Sequence, residues 1–184
     1  MLERDEALKL VREKVEDERY VKHMLAVEAI MRGLARRMGE DEDLWGLTGL
    51  LHDLDYVETE GDMSRHGKVT VEIIGNMVPE EVSHAILAHN EEGTGVTPKT
   101  KLDKALIAAD AISGLIIATA LVMPNKRLSE VKVKSVRKKF KSKDFARGVS
   151  RERIMVCEEL GLELSEFIEI ALESMKEIAG ELGL

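Results

Sequence analysis

The chain has 184 residues, 44% of them apolar and 34% charged, and a formal net charge of -8. That length fits one domain with a substantial core, and the composition excludes an intrinsically disordered chain. The longest apolar stretch, Ala105 to Met123, is interrupted by Asp110, Ser113 and Gly114, so the sequence predicts no membrane-spanning segment.

MLERDEALKL, the first ten residues, is charged from the start, and no signal peptide is expected. From there about nine helices are predicted, roughly 3-15, 18-38, 41-53, 64-77, 79-89, 101-122, 128-140, 150-160 and 163-181. Asp17, Asp41 and Ser64 are placed to cap the second, third and fourth, and Pro79 suits the first turn of the fifth. Gly39, Gly93 and Gly161 lie at or just past predicted ends. Segments 54-63 and 90-100 read as loops. The expected fold class is therefore all-α, a single-domain bundle over residues 1-184, with 124-184 a C-terminal helical extension packed on the core. Its last helix carries Leu164, Phe167, Ile168, Ala171, Met175 and Ile178 on one stripe, which either finishes the core or makes a homo-oligomer contact.

Cys157 is the single cysteine, so no intramolecular disulfide can form, which suits a reducing cytoplasm. The absence of glutamine, only three asparagines and abundant Glu, Lys and Arg point to a thermophilic source. Charge is unevenly spread. Residues 126-153 hold twelve Lys or Arg against three acids, a surplus of +9 that leaves -17 on the rest. A strongly acidic remainder argues against nucleic acid as the partner.

The positions of the histidines carry the chemistry. His23 heads the stripe His23, Val27, Ile30, Leu34, and His66 heads His66, Val69, Ile73, Met77. His89 ends the stripe that begins at Val82, and His52-Asp53 closes the apolar helix Leu44, Leu47, Leu50, Leu51. His84 faces elsewhere and is not counted as a ligand. Asp110 stands in the middle of a helix that is apolar nearly all round, where a bare carboxylate needs a partner or a metal. Any one of these has an ordinary explanation in a hydrogen-bonded core. Together, three apolar-facing histidines, a His-Asp pair and a buried aspartate call for a common partner, and a divalent cation accepts such a mixed N/O set.

The order His23, then His52-Asp53, then Asp110, all on helices, resembles the signature of the HD superfamily of metal-dependent phosphohydrolases. The stretches LLHDLDY, RHG at 65-67, AHN at 88-90 and AADAISGLI at 108-116 extend the likeness to an uncharacterised branch of predicted HD hydrolases. The resemblance implies metal ligation by His23, His52, Asp53 and Asp110, with His52 and Asp53 at the catalytic centre. In two-metal relatives further histidines hold a second ion with the HD aspartate bridging, and His66 and His89 occupy those places here. The cofactor is then one or two divalent ions (Fe, Mn, Co, Zn or Mg). The expected reaction is hydrolysis of a small-molecule phosphoester, a nucleotide first; the alternative is a non-catalytic regulatory module that binds metal and nucleotide. Many relatives carry a lysine where Tyr56 stands, which removes one phosphate contact. Arg65, Lys68, Asn90, Lys134 and Lys138 are the candidate substrate contacts, and Asp55 is either a partner of a ligand histidine or a loop cap.

Overall fold

A computed structural model describes all 184 residues, and they form helices and turns without a strand. The first helix, α1 (Arg4–Lys14), opens on a reciprocal pair in which Glu3 and Glu6 each accept the other's backbone N–H. Asp17 accepts the Arg19 N–H and starts α2 (Glu18–Met38), which stops where Gly39 takes a left-handed φ of 70°. Asp41 accepts from Asp43 and Leu44 and starts α3 (Glu42–Leu51). Two single turns follow in segments expected as loops, α4 (Tyr56–Thr59) and, later, α7 (Glu91–Thr94). Between them lie α5 (Lys68–Ile74), running into a 3-10 turn at Gly75–Met77, and α6 (Glu80–Ala88), with Pro79 as its N-cap. Gly93 falls inside α7, and Gly95 closes that turn.

The predicted helix over 64-77 begins only at Lys68. Ser64 does not cap it, because its N–H and hydroxyl both donate to Asp62 and wind residues 62-66 into turns. Gly67 then takes a φ of 86°, and a Cβ there would lie 3.1 Å from the Ile86 carbonyl oxygen. A helix cannot run through such a residue. His66 therefore sits on a turn, pressed towards α6.

At the centre runs α8 (Lys101–Leu121), started by a capping box between Thr100 and Asp103. It is the one helix long and apolar enough to cross a bilayer, yet most of it is packed inside the protein, as in the core helix of a globular fold. The predicted helix over 128-140 is split: a 3-10 turn at Leu128–Glu130 comes first, and α9 (Val133–Lys141) follows. The break arises because the Glu130 carboxylate folds back onto the N–H groups of Asn125 and Arg127. After α9 come α10 (Arg151–Met155), a 3-10 segment at Val156–Leu160, α11 (Leu164–Glu177) and α12 (Ala179–Leu182).

One cluster of 44 buried residues joins all of this. Leu128, Val136, Ile154, Cys157, Phe167 and Met175 from the C-terminal part belong to the same cluster as Met24, Leu50 and Ile112. Phe167 is fully buried, and truncating such a side chain costs about 3–5 kcal/mol. The closest helix approach is α2 against α3. A Cβ on Gly49 would lie 2.9 Å from the Glu28 nitrogen and the Val27 carbonyl oxygen, so the two backbones nearly touch. That contact sets His23, on α2, against His52, at the C-terminal end of α3.

Candidate metal centre

Each site residue is delivered by a different segment. His23 lies one turn into α2, His52 is the C-cap of α3, Asp53 follows it, His66 sits on the turn before α5, His89 caps α6, and Asp110 is midway along α8. Helix ends suit this purpose, since there a side chain can leave the helix surface and reach inward.

The four imidazoles share one arrangement. His52 Nδ1 is 2.8 Å from the Gly49 carbonyl oxygen, and His89 Nδ1 bonds the Ile86 carbonyl. His66 Nδ1 is 2.7 Å from Asp55 Oδ1, and His23 Nδ1 is 3.2 Å from the Ser113 hydroxyl. A carbonyl or a carboxylate can only accept, so Nδ1 carries the proton in at least His52, His66 and His89. In the neutral rings Nε2 is then a bare lone pair, and every Nε2 faces the Asp53 carboxylate, those of His23 and His52 facing Asp110 as well. His23 Nε2 is 3.5 Å from Asp53 Oδ2 and 3.1 Å from Asp110 Oδ1. On the other oxygen of Asp53, the Nε2 atoms of His52, His66 and His89 stand at 3.3, 3.3 and 3.4 Å. Two overlapping groups of potential ligands share Asp53. One is His23, His52, Asp53 and Asp110; the other is Asp53, His66 and His89.

Two observations show that a cation fits. His52 Nε2 is completely buried and hydrogen-bonds to nothing, although carboxylate oxygens of Asp53 and Asp110 stand at 3.3 and 3.8 Å. It is close enough to feel their charge without being aligned to donate to either. His66 Nε2 and His89 Nε2 face each other at 3.0 Å, two lone pairs with no proton between them in the neutral rings. Donor separations of this size match adjacent ligands of one ion, which are about 3.0–3.4 Å apart for bonds of roughly 2.0–2.2 Å. A mixed imidazole and carboxylate set suits divalent transition metals.

Protons stand in for that cation in the metal-free protein. Burial alone would lower the His23 pKa, but Asp110 and Asp53 outweigh it and raise it to about 9. His52 is likewise opposed by burial and raised by Asp53 and Asp110 to about 10. Asp53 and Asp55 lift His66 against burial to about 9, while burial and the charge of His52 leave His89 lowered. Burial pushes the Asp53 and Asp110 carboxyls up, yet their imidazole partners hold both well below the usual carboxylate range.

Asp55 fills both roles that the sequence left open. One carboxylate oxygen accepts from His66 Nδ1, and the other accepts the N–H groups of Gly67 (2.8 Å) and Thr70 (2.9 Å) at the start of α5. It caps the start of α5 and also orients the His66 ring. His84 pairs instead with the buried Asp103 carboxylate at 3.1 Å, away from the cluster.

The cluster opens into a cavity of about 520 Å³ lined by Arg19, Tyr20, Tyr56, Met63, Asn90 and Arg153, together with the His and Asp residues. Of the candidate substrate contacts, only Asn90 reaches this cavity. Its amide nitrogen is committed to the carbonyls of Met63 (2.7 Å) and His66 (3.0 Å), so it holds the 63-66 turn and has no free donor for a phosphate. Arg65 turns to Glu58, and Lys68 reaches the Gly93 carbonyl. Lys134 and Lys138 project from the exposed side of α9, and no residue of that helix lines the cavity. Tyr56, in the place of the lysine, packs on Tyr20 at 5.1 Å and edge-on to His66 at 5.5 Å.

Sequence reasoning missed Arg19 and Arg153. Arg19 carries a readable signal, since it precedes His23 by four residues and so shares its helix face. Arg153 carries none. It reaches the site only through the fold, with its guanidinium 2.8 Å from Asp110 Oδ2 and 2.8 Å from the His89 carbonyl oxygen.

A family model described as HD domain matches residues 20–115, just over half of the chain. No curated protein and no solved structure matches it.

Proposed function

Because the chain belongs to the HD domain family, we propose that it is a metal-dependent phosphohydrolase acting on a nucleotide or a related small phosphoester. The observation that carries this reading is the convergence of four imidazole Nε2 atoms on two carboxylates, with Nδ1 protons held by acceptors outside the cluster. His23, His52, Asp53 and Asp110 would hold one divalent ion, and Asp53, His66 and His89 a second. When bound, such ions bring the pKa of a coordinated water towards neutrality and offset the charge of phosphoryl oxygens.

The chain's own residues prepare the site for that chemistry. Asp53 belongs to both groups, with His23 on one oxygen and His52, His66 and His89 on the other, which supports the two-ion reading with Asp53 shared. Gly49, Asp55 and Ile86 keep a proton on Nδ1, so no ring has to turn before ligation and any proton released comes from Nε2. Arg153 anchors Asp110 from the side remote from His23. Tyr20 and Tyr56 wall the cavity with aromatic surface against which a base can lie, which favours a nucleotide.

The test is phosphate release from a panel of nucleotides and simple phosphomonoesters, with Mn, Fe, Co, Zn or Mg supplied, beside the Asp53→Ala variant. Metal-dependent release that vanishes in the variant is the expected result. Stoichiometric metal with nucleotide binding but no release would replace this reading with that of a regulatory module. Full activity in Asp53→Ala would sink it.

A further inference from the structure

The HD match ends at residue 115 and begins at residue 20. Within it, the cavity lining consists of metal-facing His and Asp together with Tyr20, Tyr56, Met63 and Asn90, and it includes no Lys or Arg. The only permanent positive charges on the cavity wall are Arg19 and Arg153, one on either side of the matched segment. They differ in what they can do. Arg19 is 86% exposed at the mouth and its fork is spent on Asp17. Arg153 is at the floor, against Asp110.

A guanidinium has five N–H donors. Arg153 uses one nitrogen on the His89 carbonyl and one on Asp110, and the side chain, which lines the cavity, remains 35% exposed. Three donors are therefore free. Arg151, two residues earlier on α10, shows how this protein treats an arginine whose task is structural. Its Nε and both Nη atoms donate to backbone carbonyls of Lys139, Phe140, Ser142, Phe145, Ala146 and Val149. Nothing is left over there. At Arg153 an unsaturated, permanently charged fork is held firmly beside the cluster.

We propose that Arg153 binds the phosphoryl group of the substrate through these free N–H groups while keeping its hold on Asp110. The C-terminal segment thereby supplies the anion contact that the HD segment lacks. The assignment rests on the phosphohydrolase reading above and names the substrate contact in that same site. Charge balance agrees. With neutral imidazoles and Arg19 matched by Asp17, Arg153 leaves Asp53 and Asp110 with one net negative charge, which a bound divalent ion would turn positive. A phosphate group held there would add the free N–H groups and fixed charge of Arg153 to the charge that a bound metal would supply, a contact for which arginine is suited.

The experiment titrates inorganic phosphate into the manganese-loaded full chain by calorimetry, for wild type, Arg153→Gln and Arg153→Lys. Bound metal is measured by elemental analysis and folding by circular dichroism. The expected result is unchanged metal content, a loss of phosphate affinity of about 10- to 100-fold in Arg153→Gln, and a smaller loss in Arg153→Lys. If Arg153→Gln fails to fold, Arg153→Lys decides by a measurable loss at full metal content. Phosphate affinity within twofold of wild type in a folded, metal-replete variant overturns the proposal. Loss of metal in the variants also overturns it, because Arg153 would then be a positioning residue for Asp110. Absence of phosphate binding by loaded wild type overturns it as well. Phosphate binding that depends on Arg153 in a protein that hydrolyses no phosphoester would leave the contact standing and refute the hydrolase instead.

Discussion

Asp55→Asn changes one atom and separates metal binding from folding. The buried Asp55 carboxylate accepts three donors: His66 Nδ1 on one oxygen, and the Gly67 and Thr70 N–H groups on the other. An asparagine must keep its single oxygen where two backbone donors converge, which turns its NH₂ towards His66. Nδ1 can then only accept, so the ring gives up its Nδ1 proton and keeps the one on Nε2. There it lies 3.0 Å from the His89 Nε2 lone pair and 3.3 Å from Asp53, and either can accept it. The metal-free fold thus loses one charge-assisted hydrogen bond, worth about 1.5–3 kcal/mol, and regains part of it inside the cluster. The metal-bound form regains nothing, because a protonated Nε2 is no ligand. Removing such a supporting partner typically costs 10- to 100-fold in metal affinity. Calorimetric titration of Mn or Zn into chelator-treated protein should show the His66–His89 half weakened by about that factor, with a thermal midpoint close to wild type. A folded Asp55→Asn protein that binds metal as tightly as wild type would show that Asp55 does not set the tautomer of His66.

Three further outcomes follow from the geometry. The raised pKa values of His23, His52 and His66 (about 9, 10 and 9) mean that the metal-free fold holds these protons more tightly than the unfolded chain does. That stabilisation is complete below about pH 6.5 and is lost as pH rises to 9–10, so chelator-treated protein should melt at progressively lower temperature from pH 7 to 10, while metal affinity rises over the same window; a melting temperature flat with pH would contradict the raised values. Gly49→Ala drives a Cβ to within 2.9 Å of the α2 backbone, a clash of about 1–3 kcal/mol that exceeds the gain of up to about 1 kcal/mol in helix propensity. Its melting temperature should fall, and an unchanged value would mean that α2 and α3 can separate freely. Cys157 is fully buried, and burial with the neighbouring Glu158 charge pushes its thiol up to about 11. At pH 8 a disulfide reagent should leave it untouched until the protein is unfolded; rapid labelling of native protein would place Cys157 in a region that opens readily.

How much was readable from residues alone depends on the kind of signal. The caps at Asp17 and Asp41 and the stop at Gly39 are local, and the helices they bound appear where their chemistry puts them. The His and Asp residues of the cluster were legible because each falls on or at the end of an apolar stripe, and the fold brings them together in two groups that share Asp53. Where a boundary depends on a distant contact, local pattern fails. The turn at 62-66 exists because of Asp62 and of Gly67 pressed against α6, so the stripe from His66 to Met77 overstates the helix. Charge density does not tell which cations line the cavity, for a related reason. The lysines of α9 are numerous but lie on a face turned from the cavity, whereas Arg153, one cation among twelve in that segment, is aimed into it by α10. Orientation is a property of packing, and composition does not carry it.

The way Arg151 is spent has a bearing on motion. A single side chain pins six carbonyls between residues 139 and 149, a stretch whose only fully buried neighbour on α9 is Val136. Loss of that one side chain would free all six carbonyls together, so the stretch is expected to open as a small cooperative unit beneath the global stability of the protein. Arg153 stands on the same five-residue helix as the pin. Amide exchange in residues 139-149 would therefore report on the steadiness of the cavity floor, although none of those residues touches the cavity.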